Sequence, residues 1–135
     1  MGWTGIGVLS LLAIIIMVLI LNKSHSGNND ISQSQLVEWN KQESDLCILD
    51  VRSADEYNSG HIPGSINIGH KEISTRLDEL MPYKKSKVVV YCEMGMRARV
   101  AQCALEKAEF TNVYHLTGDM HAWRQADLPM DTPGK

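Results

Sequence analysis

Two apolar patterns run along this chain, and one gives way to the other near residue 22. Trp3 to Leu21 holds no charged side chain and is almost wholly apolar from Ile6 onward. At about 1.5 Å of rise per residue, a helix over it reaches about 28 Å, close to the hydrocarbon thickness of a bilayer. The run predicts a transmembrane anchor over residues 3–22. A secretory signal peptide is the rival reading, because Ser24-His25-Ser26 is a passable cleavage site, but no Lys or Arg precedes the apolar core. Lys23, the nearest basic side chain, flanks the C-terminal side and favours a catalytic domain on the cytoplasmic side of the membrane. Residues 23–30, rich in Ser, Asn and Gly, read as a flexible linker, 31–130 as one folded domain and 131–135 as a tail.

Beyond the linker the apolar runs become short and alternate with helical spacing. Leu46 to Leu49, Val88 to Tyr91 and Val113 to Leu116 are compact runs of the kind that form strands buried on both faces, and Ile66 and Ile68 mark a briefer one. Ser32 with Gln35 forms a capping box and Ile31 with Leu36 a hydrophobic staple, predicting a helix over 33–41. Ser53 with Glu56 opens a second, short helix that Gly60 ends, and Ile62-Pro63-Gly64-Ser65 suits a type II turn. Ile73, Leu77 and Leu80 mark one face of a helix stopped by Pro82. Ala101, Ala104 or Leu105, and Ala108 mark a helix beginning near Arg97, and Gly118 opens a last one carrying Met120 and Trp123. Strands alternating with helices imply an α/β fold, a mostly parallel central sheet flanked by helices.

Composition narrows the function classes. The 135 residues suffice for one domain, and a net charge of -3 leaves no basic footprint for nucleic acid. Three cysteines without regular spacing make neither a disulfide framework nor a zinc site and fit a reducing compartment. The five histidines, His70, His115 and His121 among them, lack ligand spacing, so neither a metal nor another cofactor is expected.

The chemistry concentrates at Cys92. In parallel sheets ligands bind at the C-terminal strand ends, and Cys92 follows the Val88 to Tyr91 run directly. A helix starting near Arg97 aims its free N–H groups back at the sulfur, an environment that favours the nucleophilic thiolate. Gly95 permits the tight turn, and the amides of Glu93 to Arg97 are placed to form an anion-binding nest. The alternative is a buried structural cysteine, which is how Cys47 and Cys103 are read. Cys103, roughly 15 Å further along the helix, is too distant to pair with Cys92.

Three stretches, LDVRSADEYNSGHIPGSINI (49–68), VVVYCEMGMR (88–97) and NVYHLTGDMHAW (112–123), resemble the single-domain rhodanese (sulfurtransferase) family, here behind a membrane anchor. The resemblance spans about Ile31 to Met130. It implies a loop cradling a persulfide on Cys92, the nucleophile, with Glu93, Met94, Gly95, Met96 and Arg97 supplying loop amides. Arg97 would close the loop and hold an anionic group on the donor. Asp50 and Arg52 match as supports, and His61 as a structural hydrogen-bonder. Four residues separate Cys92 from Arg97, one fewer than in the related Cys-dependent phosphatases and arsenate reductases, and the smaller loop suits a sulfur atom.

Three positions depart from the family pattern. Ala98 replaces a common Ser or Thr, Asp119 replaces the second glycine of Leu-x-Gly-Gly, and Glu93 sets a carboxylate beside the thiol. Asp119 reads as a charge favouring the last helix's N-terminus. Glu93 would oppose the thiolate and repel dianionic donors, pointing away from thiosulfate and toward a small-molecule or protein-bound persulfide passed to a thiol or to cyanide. Met94 and Met96 either offer that donor an adaptable apolar rim or pack inward. A non-catalytic binding module tethered at the membrane is the second function class, and the soluble part is expected to be a monomer.

Overall fold

The computed structural model describes residues 11–17 and 29–133. Five strands, β1 (Asp30–Ile31), β2 (Cys47–Asp50), β3 (Ser65–Asn67), β4 (Val88–Tyr91) and β5 (Val113–Leu116), form one sheet in the order β1-β5-β4-β2-β3. All four pairings are parallel, with Leu49 opposite Val90 and Val90 opposite His115 at the centre. Four α-helices accompany them: α1 (Gln33–Gln42), α2 (Ala54–Ser59), α3 (Met96–Lys107) and α4 (Asp119–Gln125).

Because β2 and β4 are buried at every position, alternate side chains feed two separate cores. Leu49, Val88 and Val90 meet Ala98, Ala101 and Leu105 of α3 on one face. Ile48, Val89 and Tyr91 meet Leu36 of α1 and Met120 and Trp123 of α4 on the other. Central strands covered on both sides therefore end together, and Asp50 lies opposite Tyr91 one residue before Cys92.

Local signals behave as their chemistry dictates. Ser32 caps α1 through the Gln35 amide at 3.2 Å, and Ile31 and Leu36 share a core. The Ser53–Glu56 capping box is reciprocal, and Gly64 takes φ +80 in the turn closed by Ser65 N–H to the Ile62 carbonyl at 3.0 Å.

Two stretches differ from the sequence reading. The Ile73-Leu77-Leu80 segment is a series of turns followed by a 3-10 helix, Leu77–Tyr83, with Pro82 inside it. A proline has no N–H to donate to a continuing α-helical ladder, and the segment stays a short 3-10 helix. Asp30, read as linker, starts β1, whose neighbouring Asn29 carbonyl accepts from His115 N–H at 2.7 Å. Asp131 closes the other end by pairing its backbone with His61.

The segment read as a membrane anchor lies outside the described residues except for 11–17, which are helical with exposed side chains. Among the described residues no helix is long and apolar enough to cross a membrane.

Candidate active site

Cys92 ends the central strand with only 1 % of its surface exposed. The chain then reverses through Glu93, Met94 and Gly95 into α3. Gly95, at φ +116, caps the helix and donates its N–H to Cys92 Sγ at 3.0 Å. No other residue type suits that place, because φ is in the left-handed region and a Cβ would lie 3.0 Å from Asp119 Oδ2. The sulfur therefore sits under the turn, accepting from the Gly95 amide at the start of α3.

Beneath the turn lies a residue pair that sequence spacing did not single out. The Cys92 N–H donates to Asp119 Oδ1 at 3.0 Å, and His115 Nε2 lies 3.0 Å from both Asp119 oxygens. Asp119 is 1 % exposed and adopts φ +53 after Gly118 at φ +80. The available signal was a carboxylate standing where the family pattern has a glycine. Asp119 does begin α4, but its carboxylate turns inward, so it serves the loop rather than the helix terminus alone.

Cations ring the site, each held by a carboxylate. Arg52, buried, reaches Asp50 at 2.7 Å and donates to the Gly60 carbonyl at 2.8 Å. Arg97 forms a two-point pair with Glu56 at 2.6 and 2.9 Å. That pair pulls the Glu56 carboxyl down to about 2. Glu93 pairs with both amino groups of Arg124 and lies 3.5 Å from Arg52. Arg124 lowers its carboxyl below the usual range, so the Glu93 charge is compensated rather than bare beside the thiol. Beside Arg97 an open depression of about 400 Å³ is lined by Arg52, Ser53, His70, Lys71 and Glu72.

The remaining candidates fall into place around this centre. Met94 and Met96 point outward, 70 % and 85 % exposed, which decides between rim and core for both. His61 bonds the Tyr57 carbonyl through Nδ1 at 2.9 Å and stacks on the Tyr57 ring. Cys47 is buried, which pushes its thiol up to about 12, and Cys103 is exposed on α3.

Comparison with known proteins agrees with this architecture. The family described as Rhodanese-like domain matches residues 32–126, and the chain belongs to that family. YibN of Escherichia coli strain K12 is 34 % identical over 87 residues, covering 64 % of this chain and 61 % of YibN. The chain thus spans less than two thirds of that relative. A sulfurtransferase of Allochromatium vinosum is 29 % identical over 105 residues, covering 78 % of this chain and 96 % of that protein. The crystal structure of a rhodanese-related protein from Thermoplasma volcanium superposes with a TM-score of 0.67 at 26 % identity, covering 76 % and 97 % of the two chains.

Proposed function

We propose that this rhodanese-like protein is a sulfurtransferase that carries sulfane sulfur as a persulfide on Cys92. The observation that carries the reading is the Gly95 N–H directed at Cys92 Sγ at 3.0 Å, at the mouth of a helix and the end of a central strand. In the first half-reaction the Cys92 thiolate attacks the outer sulfur of a donor, the donor S–S bond breaks, and the donor thiolate, or sulfite from thiosulfate, leaves with the electron pair. In the second, an acceptor thiolate or cyanide attacks the outer sulfur of the persulfide and Cys92 leaves as thiolate. No net oxidation occurs, and no cofactor is required. The loop amides hold the anionic sulfur in both halves.

A thiol-bound persulfide, on a small molecule or a protein, is the donor class the rim favours. Arg97 is already taken by Glu56, while Met94 and Met96 present adaptable apolar surface. A four-residue spacing between Cys92 and Arg97 speaks against phosphoryl transfer. We further propose that residues 3–22 anchor a monomeric domain at the membrane with its active site on the cytoplasmic side. Extraction of the full chain by alkaline carbonate without detergent is the result that would refute the anchor.

The decisive experiment is the intact mass of the protein after thiosulfate or an organic persulfide, with Cys92→Ser alongside, followed by cyanide. Gain of one sulfur atom, absent in the variant and released by cyanide, is expected. No sulfur on Cys92 from any donor would leave the tethered binding module as the better reading.

A further inference from the structure

Several elements that end near Cys92 bring a charge, and among the described residues one of those charges, Asp119, faces a histidine and no arginine or lysine. Arg52 is matched by Asp50, Arg97 by Glu56, Arg124 by Glu93, and Arg99 by Asp30 at 2.8 Å. Among the described residues, Lys71 joins His70 along the depression beside Arg97, and neither forms an ion pair with Asp119. The Asp119 carboxylate takes only the Cys92 amide and the His115 ring. His115 in turn leaves Nδ1 buried without a hydrogen bond, 3.4 Å from Asp30 Oδ1.

The placement of Asp119 is also costly to maintain. Its carboxylate is almost wholly out of water. A carboxylate buried at the amide of Cys92 marks a functional constraint.

We propose that Asp119, oriented by His115, is a positioning residue for Cys92 that also selects donors by charge. Its carboxylate fixes the Cys92 amide and sets beneath the loop a negative group that no arginine or lysine neutralises among the described residues, which disfavours anionic donors and favours sulfane sulfur on an uncharged organic group. The donor half of this proposal rests on the sulfur-transfer reading, whereas the charge half stands without it.

A pair of alkylating agents separates the two. Iodoacetamide is neutral and iodoacetate anionic, yet each forms the same kind of C–S bond with the Cys92 thiolate and releases iodide. The ratio of their rates at Cys92, read by site-resolved mass spectrometry of the full chain, therefore cancels thiolate content and reports the local potential. Cys103, exposed between Arg99 and Lys107 on α3, serves as internal reference. The iodoacetate-to-iodoacetamide ratio is expected to be lower at Cys92 than at Cys103. Asp119→Asn keeps an oxygen for the Cys92 amide and removes the charge, and should raise the ratio at Cys92 by about three- to tenfold, the size of a nearby unit charge at intermediate dielectric.

The same substitution should raise sulfur loading from thiosulfate relative to loading from 2-hydroxyethyl persulfide by a similar factor. An unchanged alkylation ratio in Asp119→Asn overturns the proposal. Should that variant not fold, a wild-type ratio at Cys92 equal to or above that of Cys103 overturns it instead. A ratio that moves as expected while neither donor loads Cys92 sinks the sulfur-transfer reading and leaves the charge half standing.

Discussion

Replacing Glu56 with Gln isolates the ion pair that occupies the Arg97 guanidinium. Gln at this position still suits the Ser53 capping box, so the helix start is kept and only the charge is lost. The Arg97 guanidinium holds the Glu56 carboxyl at about 2 against an ordinary 4.5. At roughly 1.4 kcal/mol per pH unit the difference corresponds to at most about 3.4 kcal/mol. With the two side chains 30 % and 35 % exposed, solvent screening reduces it to about 1 kcal/mol. Because the folded-state value is depressed, this stability is fully present above pH 4.5 and is lost as pH falls toward 2. Glu56→Gln should therefore lower the urea midpoint by about 0.7–1 M at pH 7. The gap between wild type and variant should shrink to under half by about pH 3. Equal midpoints at pH 7, or a gap that stays constant through acid, would refute the reasoning. The freed guanidinium borders the depression beside Cys92's loop, so thiosulfate loading should rise in the same variant.

Three further outcomes follow from particular contacts. Gly95→Ala places a Cβ 3.0 Å from Asp119 Oδ2 at φ +116, and should cost about 2 kcal/mol in thermal or urea unfolding while slowing sulfur loading of Cys92 at least tenfold, read by intact mass. Tyr91→Phe strips the hydroxyl that accepts from Ile62 N–H at 3.1 Å and bonds Ser65 Oγ at 3.2 Å; the orphaned buried amide should cost about 1–3 kcal/mol in urea unfolding. In a Cys92→Ser protein at pH 8, a disulfide reagent should label Cys103 at once and spare Cys47 until denaturant is added, because burial keeps the Cys47 thiol neutral until pH nears about 12.

The parts of the fold that rest on local chemistry were legible in the sequence. Val88 to Tyr91 reads as a buried strand because β-branched and aromatic residues without interruption need cover on both faces, and the Ser32 and Ser53 caps each act over three residues. What escaped is long-range. Glu56 and Arg97 are 41 residues apart, Glu93 and Arg124 31, and Cys92 and Asp119 27. No spacing rule connects them, and only the parallel sheet, which brings the ends of β2, β4 and β5 to one edge, makes them neighbours. Arg97 thus looked free and Glu93 looked bare, although each has a partner. Strand β1 is two residues long and owes its existence to β5, so no periodicity could announce it.

The compensated rim bears on what kind of donor gains most from docking. An anionic donor recruiting Arg97 must first displace Glu56, giving up the roughly 1 kcal/mol that a part-exposed pair supplies, and on the proposal above it is also opposed by the Asp119 carboxylate. A donor that covers Met94 and Met96 breaks no pair. Burying one exposed methionine side chain is worth about 1.5–3 kcal/mol, and both methionines project from the turn that holds the sulfur. Ordering two flexible side chains takes back about 1–3 kcal/mol, so the apolar route still ends ahead where the ionic route ends behind. On the proposed sulfur-transfer role, the apolar rim and the Asp119 carboxylate act in the same direction, because every arginine among the described residues already has a carboxylate partner.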